Sequence, residues 1–342
     1  MISHARAGRL MRSTSYAGIL CLGLLSACGT SSSTSMPAAP GGSPASANAV
    51  PVGAQLGLAW SAGDTTLRPI IGVPGSAQFG SSILPAGSYV NAAYSARSQL
   101  ALVIDKSGNL FVLPLSTTQP ALLTQGISPN AAISFSPLGG YAVVYAPGAA
   151  SATLISGLPG QPIAASLQAG SAIQAAAISD AGTALIATGT GTGSTVTVIT
   201  TGGTKSNVAS LSGFGGITFL PGSEDILVAD STANTLTRLH TGSAQILATA
   251  RDGLNQPLAV AASLDGHYAV TANRADGTLV RVDLSAATPN LRSTCSCAPS
   301  TLTPLSGNAV FQLTAAGSAA AWMMEADDVV PRVLFIPAVR HS

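Results

Sequence analysis

From residue 55 onward the chain repeats itself. Strand–turn–strand units begin near Leu58, Leu100, Tyr141, Ala184, Ile226, Tyr268 and Ala319, at intervals of 42, 41, 43, 42, 42 and 51 residues. The clearest unit runs from Leu100 to Asp105, turns through Lys106-Ser107-Gly108-Asn109 and returns from Leu110 to Leu115. Ile226 to Asp230, Ser231 to Asn234 and Thr235 to His240 repeat it. Short β-branched and apolar runs bounded by Gly, Asn, Asp and Ser read as strands joined by tight turns, and no helical period competes with them. The fold class is all-β.

Six of the units follow another short strand and a tight link. Examples are Ala131 to Ser136 with Pro137-Leu138-Gly139-Gly140, Gln174 to Ser179 with Asp180-Ala181-Gly182, and Leu258 to Ser263 with Leu264-Asp265-Gly266. A fourth strand fits in the rest of each period. One small sheet cannot cover both of its faces, and radial stacking of such sheets does so. The expectation is a seven-bladed β-propeller over residues 55–342. Six or eight blades stay open, because the first unit lacks a clear innermost strand. The chain ends soon after Ile336, so the last blade is expected to lack an outer strand, which Ala49 to Gln55 or a nearby N-terminal strand would supply, joining the two ends of the ring. The long 51-residue interval puts an insertion around Ser285 to Pro304.

Ahead of the repeats, Arg6, Arg9 and Arg12 precede the apolar run Ala17 to Leu25, the order of a secretory signal and too short to span a bilayer. The run ends in Leu25-Ser26-Ala27-Cys28, which resembles the lipobox of bacterial lipoproteins. The resemblance implies that residues 1–27 are a signal peptide and that Cys28 carries the lipid. Residues 28–54 are rich in Ser, Pro, Ala and Gly and bury too little to fold, so they read as a flexible tether. Gly29 resembles the residue after the acylated cysteine in outer-membrane lipoproteins, where inner-membrane retention typically has Asp. The expected address is the outer membrane, lipid-anchored on its periplasmic or surface side.

With residues 1–27 set aside, eleven Lys and Arg face thirteen Asp and Glu, a net charge of about −2. Lys106 and Lys205 are the only lysines, and charged residues make up 8% of the chain. That balance argues against nucleic acid as a partner. A monomer is expected, with a protein or glycan of the envelope as partner. Cys21 leaves with the signal, so Cys295 and Cys297 are the remaining thiols. In an oxidising compartment they are free, joined to each other in a loop disulfide, or paired outside the chain.

Two chains of residues within the repeats resemble known propeller families. Val260-Ala261-Ala262-Ser263-Leu264-Asp265-Gly266-His267-Tyr268-Ala269-Val270-Thr271-Ala272-Asn273, followed by Gly277-Thr278-Leu279-Val280-Arg281-Val282-Asp283, resembles a YVTN-type repeat. Ile226-Leu227-Val228-Ala229-Asp230 with Ser231 and Asn234 is similar to an NHL-type blade. Such families imply the fold firmly. They include binding platforms and lactonase-like hydrolases alike, so function must be read from the site.

The expected innermost strands hold Asn91-Ala92-Ala93-Tyr94, Ala132 to Phe135, Ala175 to Ile178, Ile217 to Phe219, Val260 to Ala262 and Val310 to Gln312. They offer no carboxylate, histidine or basic group, so no general acid–base pair and no catalytic residue is assigned. Asn91, Ser134, Thr218 and Gln312 read first as polar groups satisfied within the fold, and otherwise suit a water or a small neutral ligand. Acids gather instead at expected second-to-third-strand turns: Asp64, Asp105, Asp230, Asp276, Glu325, Asp327 and Asp328. They are the candidate ligand face, able to attract cationic partners, although Asp also favours turns by bonding its own backbone.

No cofactor and no metal site is assigned. His240, His267 and His341 lie far in sequence from each other and from any cysteine, and Glu325-Ala326-Asp327-Asp328 lacks the alternating ligands of a calcium loop. Thr188 to Ser194 is Gly-rich but leads into a strand, which disqualifies it as a phosphate cradle. Trp60 and Trp322 are placed in second strands as packing residues. The leading function is a non-enzymatic binding or scaffolding module; the alternatives are a lactonase-like hydrolase and a small-ligand or metal sensor.

Overall fold

Five successive apolar residues, Leu100 to Ile104, fill one strand, and the pleat sends them to opposite sides. Ala101 and Val103 pack against Leu58 and Leu67 of the preceding blade. Leu100, Leu102 and Ile104 pack against Ala142 and Ile155 of the following one. A strand buried on both faces reads as a continuous apolar run, and this explains the texture of the whole chain. In the computed structural model, which describes residues 54–189, 193–240, 242–285, 290–316, 320–327 and 329–338, seven antiparallel sheets form the seven blades of a β-propeller. The only helical element among these residues is a single 3-10 turn, Ala250–Asp252.

Six blades have four strands. Their inner strands are Tyr89–Ser95, Ala132–Phe135, Ile173–Ile178, Phe214–Phe219, Pro257–Ala262 and Thr303–Pro304. Blade 1 comprises Gln55–Ser61, Thr66–Ile71 and Gln78–Phe79. One apolar cluster lies at each seam between neighbouring blades. The last seam joins blade 7 to blade 1 through Leu305, Met323 and Ile336 against Leu56 and Ile70. The Ser306 N–H donates to the Leu56 carbonyl across the same seam.

Four expectations about the last blade are corrected here. Val310–Gln312 is its second strand, paired on one side with Thr303–Pro304 and on the other with Ala321–Glu325. Val310 therefore begins 42 residues after Tyr268, and the period continues without an insertion. Arg332–Ile336 supplies the outer strand, so blade 7 is complete from its own sequence. Gln55 opens the Gln55–Ser61 strand of blade 1 and does not complete blade 7; residues 49–53 lie outside the described residues. Trp322 stands in the third strand, tilted against Phe335 at 6.1 Å, whereas Trp60 keeps its second-strand place.

The turns that follow the inner strands clasp one blade to the next. The Asp180 carboxylate in blade 4 accepts the Leu138 N–H of blade 3 at 2.7 Å and the Gly222 N–H of blade 5 at 2.9 Å. In blades 6 and 7 the Asp265 N–H donates to Asn308 Oδ1 at 3.0 Å, and Asn308 Nδ2 donates back to Asp265 Oδ2 at 2.8 Å. These contacts recur at spacings of 42 and 43 residues, so the repeat encodes its own lateral bonding.

Candidate functional sites on the two faces and the axis

Antiparallel order gives the ring two chemically different faces. Second-to-third-strand turns and blade-to-blade links share one face; first-to-second and third-to-fourth turns share the other. Asp64, Asp105, Asp230 and Asp276 lie on the former. Glu325 ends the third strand of blade 7, so it and Asp327 lie on the latter, and the expected single acidic face is divided. Asp328 lies outside the described residues, as do Leu25, Ser26, Ala27, Cys28 and His341.

On the first face the carboxylates are turned toward their own loops. Asp230 is 6% exposed, and its oxygens accept the N–H groups of Ser212 at 2.6 Å, Gly213 at 3.2 Å, Thr232 at 2.9 Å and Ala233 at 2.8 Å. Asp105 accepts from the Ser107 and Asn109 N–H groups and from Asn109 Nδ2. Burial pushes its carboxyl up, but these bonds outweigh it and leave the group below its ordinary range. Asp276 accepts from Thr278, Asn255 Nδ2 and Arg292 Nη2. The Ser61 hydroxyl donates to Asp64 at 3.3 Å. Such carboxylates organise turns and have few lone pairs left for a ligand.

On the opposite face His240, His267 and Glu325 meet partners that the sequence did not assign to them: Asp225 with Arg238, Asp265, and Arg332. The Asp225 side chain, 8% exposed, receives Arg238 Nε at 2.8 Å and also contacts Arg238 Nη2 and His240 Nδ1. Burial raises the Asp225 carboxyl, and hydrogen bonds from His240 and Arg238 with their charge more than reverse this. His267 Nδ1 meets Asp265 Oδ2 at 2.9 Å, and Glu325 pairs with Arg332. Asp225 immediately precedes the strand Ile226–Asp230 and His240, 15 residues on, ends the strand paired with it, so the hairpin register of Ile226 with Leu239 brings them together.

Asp265 carries a pH signature. Burial pushes its carboxyl up, yet hydrogen bonds from Ser263, the His267 backbone and ring, and Asn308 bring it down to about 2. Ionised Asp265 therefore favours the folded state above the ordinary value of 3.8, and that contribution disappears as pH falls through about 2. Thermal melts of wild type and Asp265→Asn are expected to differ most near neutrality and to converge as pH falls from about 4 to about 2. A difference that stays constant over that interval would show that the carboxylate charge contributes nothing to the clasp.

Cys295 and Cys297 are joined to each other, with Cα atoms 5.0 Å apart. The loop they close lies in the link from blade 6 to blade 7, with the Cys297 carbonyl close against Gly277 of the neighbouring turn. Thr188 ends one strand and Ser194 opens the next, so the Gly-rich loop joins two strands; its residues 190–192 lie outside the described residues. Among the described residues no three of His, Cys, Asp and Glu converge to hold a metal ion.

On the axis is a cavity of about 290 Å³, walled by the inner strands of blades 2, 3, 5, 6 and 7 and open beside the turns that follow them. Ser134 and Thr218 line it; Asn91 and Gln312 do not. Asn91 Nδ2 donates to the Ala131 carbonyl at 2.7 Å, and Gln312 Nε2 to the Thr314 carbonyl at 2.7 Å. No carboxylate and no histidine lines this cavity among the described residues.

No protein-family model and no curated protein matches this chain. Its fold does match solved structures. A protein from Lactobacillus plantarum superposes with a TM-score of 0.58 at 14% identity, over 83% of this chain and 98% of that one. Streptogramin B lyase superposes with a TM-score of 0.55 at 14% identity, over 80% and 87%. A chain of the mitotic checkpoint complex superposes with a TM-score of 0.53 at 10% identity, over 70% and 77%. At these identities the likeness is one of fold.

Proposed function

We propose that this chain is a lipid-anchored, non-enzymatic binding module of the bacterial envelope, carried on Cys28 at the outer membrane and presenting its propeller to a protein or glycan. Its repeats are read as YVTN and NHL in type. The observation that supports it most is the disposition of the carboxylates. Those of the turn-rich face are bonded to their own backbone and neighbours, and among the described residues the axial cavity has no acid–base pair, which favours a surface built for shape and hydrogen bonding. The fold itself is used both ways, in a lyase and within the mitotic checkpoint complex.

The hydrolase reading has its more buried locus at His240, held through Nδ1 by an Asp225 side chain that is 8% exposed, against 36% for the Asp265 that holds His267. The nearby Ser243 hydroxyl donates to the His240 carbonyl at 2.8 Å, so it is not presented to the imidazole as a nucleophile. Full-length protein in detergent is expected to leave a panel of lactones and esters unchanged. Turnover abolished by His240→Ala would replace the binding reading with a hydrolytic one. The anchor has its own expected result: an alkyne fatty acid fed to the host labels the wild type and not Cys28→Ser, which leaves the membrane fraction. Label retained on Cys28→Ser would move the lipid elsewhere or remove it from the account.

A further inference from the structure

We propose that the axial cavity is a binding site for a small amphiphilic anion, an aliphatic carboxylate in chemical class, with Arg97 as its charge partner. This goes beyond the macromolecular partner of the preceding reading and does not depend on it. The inner walls are apolar, from Ile133, Phe135, Ile217, Val260, Leu302 and Phe311. At about 290 Å³ the space is at the lower end of small-molecule sites, which run from roughly 300 to 1,000 Å³, so it suits a short chain or a single ring.

Charge selects within that size. Arg97 is the one charged residue lining the cavity among the described residues, and it lies in the turn after the inner strand Tyr89–Ser95, at the cavity mouth. Arg68, Arg238, Arg281, Arg292 and Arg332 each reach a protein oxygen. The Arg97 side chain is exposed and makes no ion pair among the described residues. With no Asp or Glu on the walls, nothing in the cavity opposes an anion or competes for the guanidinium. Tyr94 adds no charge: burial raises its phenol, which stays protonated through the neutral range. A guanidinium binds a carboxylate with two parallel hydrogen bonds, and an apolar wall below it takes the tail while Ser134 and Thr218 give polar edges. Cationic and zwitterionic molecules are disfavoured by the same arrangement.

The test is calorimetric titration of the full-length protein in detergent with sodium hexanoate and, separately, hexanamide, a neutral analogue of the same length. Saturable hexanoate binding, about tenfold tighter than that of hexanamide, is the expected result. Arg97→Gln is expected to lower hexanoate affinity by about tenfold and to leave hexanamide unchanged, with Arg97→Lys in between. Arg97 is exposed, so these variants should fold, and an unchanged melting temperature checks it. Ala93→Leu, which fills the cavity from the blade 2 wall, is expected to abolish binding of both compounds. Equal affinity for hexanoate and hexanamide, an Arg97→Gln variant that binds hexanoate as wild type does, or no saturable binding of hexanoate would each overturn the proposal.

Discussion

Asp230→Ala is expected to lose about 2–3 kcal/mol of folding stability, although residue 230 lies on a surface loop face. The carboxylate is 6% exposed and serves four backbone N–H groups from two segments: Ser212 and Gly213, in the link from blade 4, and Thr232 and Ala233, in the turn of blade 5. Removing it strands these donors: Gly213 is buried and its N–H costs about 1–3 kcal/mol when unpaired, whereas Ser212, Thr232 and Ala233 are exposed and water recovers most of their loss. Asp230→Asn keeps one acceptor oxygen and brings an amide against the remaining N–H groups, so about half the loss is expected. Urea unfolding measures both. A loss below about 1 kcal/mol for the alanine variant would mean that water replaces the carboxylate and that the loop does not depend on it.

Gly216→Val is expected to cost about 4 kcal/mol or to prevent folding. The inner strands of blades 5 and 6 approach so closely that a Cβ on Gly216 would lie 2.9 Å from the Val260 nitrogen and 3.1 Å from the Ala259 Cα. Both atoms are backbone, which cannot swing aside as a side-chain tip does. Gly216 also has φ +127°, a conformation that side-chain-bearing residues avoid, so strain adds to the clash. Gly63, in the open turn of blade 1 with nothing within 4 Å of its Cβ position, is the control. Gly63→Ala is expected to stay within about 0.5 kcal/mol of wild type by the same unfolding measurement. Equal effects at the two glycines would contradict the close packing of blades 5 and 6.

These two positions also mark what a reading of the sequence can reach. The period was legible because each blade buries both faces of its sheet, and that need writes an apolar strand every 42 residues or so. Its phase slipped in the last blade for a local reason. Most second-to-third-strand turns are short, as in Lys106 to Asn109, but the connection after Val310–Gln312 runs from Leu313 to Ala320 and is rich in alanine. The Ala319 segment then looked like the opening strand of a hairpin when it leads into the third strand. Moving the phase put Glu325 and Asp327 on the opposite face and removed the supposed insertion at the disulfide.

The chemistry was less legible than the fold. An aspartate in a turn reads the same whether it faces solvent or its own backbone, and only the spatial positions of Ser212, Gly213, Thr232 and Ala233 decide that Asp230 does the latter. The 42-residue spacing did hold a usable signal for the clasps, since Asp180 and Gly222, like Asp265 and Asn308, occupy corresponding turns of successive blades. Arg97 carried no such signal. Its place at the mouth of the axial cavity depends on closure of the ring, which brings together inner strands more than 200 residues apart.

On the proposed function, this propeller binds a macromolecule of the envelope through one of its faces. Photo-crosslinking in living cells tests it most directly, with the crosslinker placed in turn on exposed positions of each face of the full-length protein and the captured species mapped by mass spectrometry. One recurrent envelope protein or glycan is expected, captured from neighbouring turns of a single face and absent when the crosslinker is on the other. Capture spread evenly over both faces, or no recurrent species at any position, would contradict it.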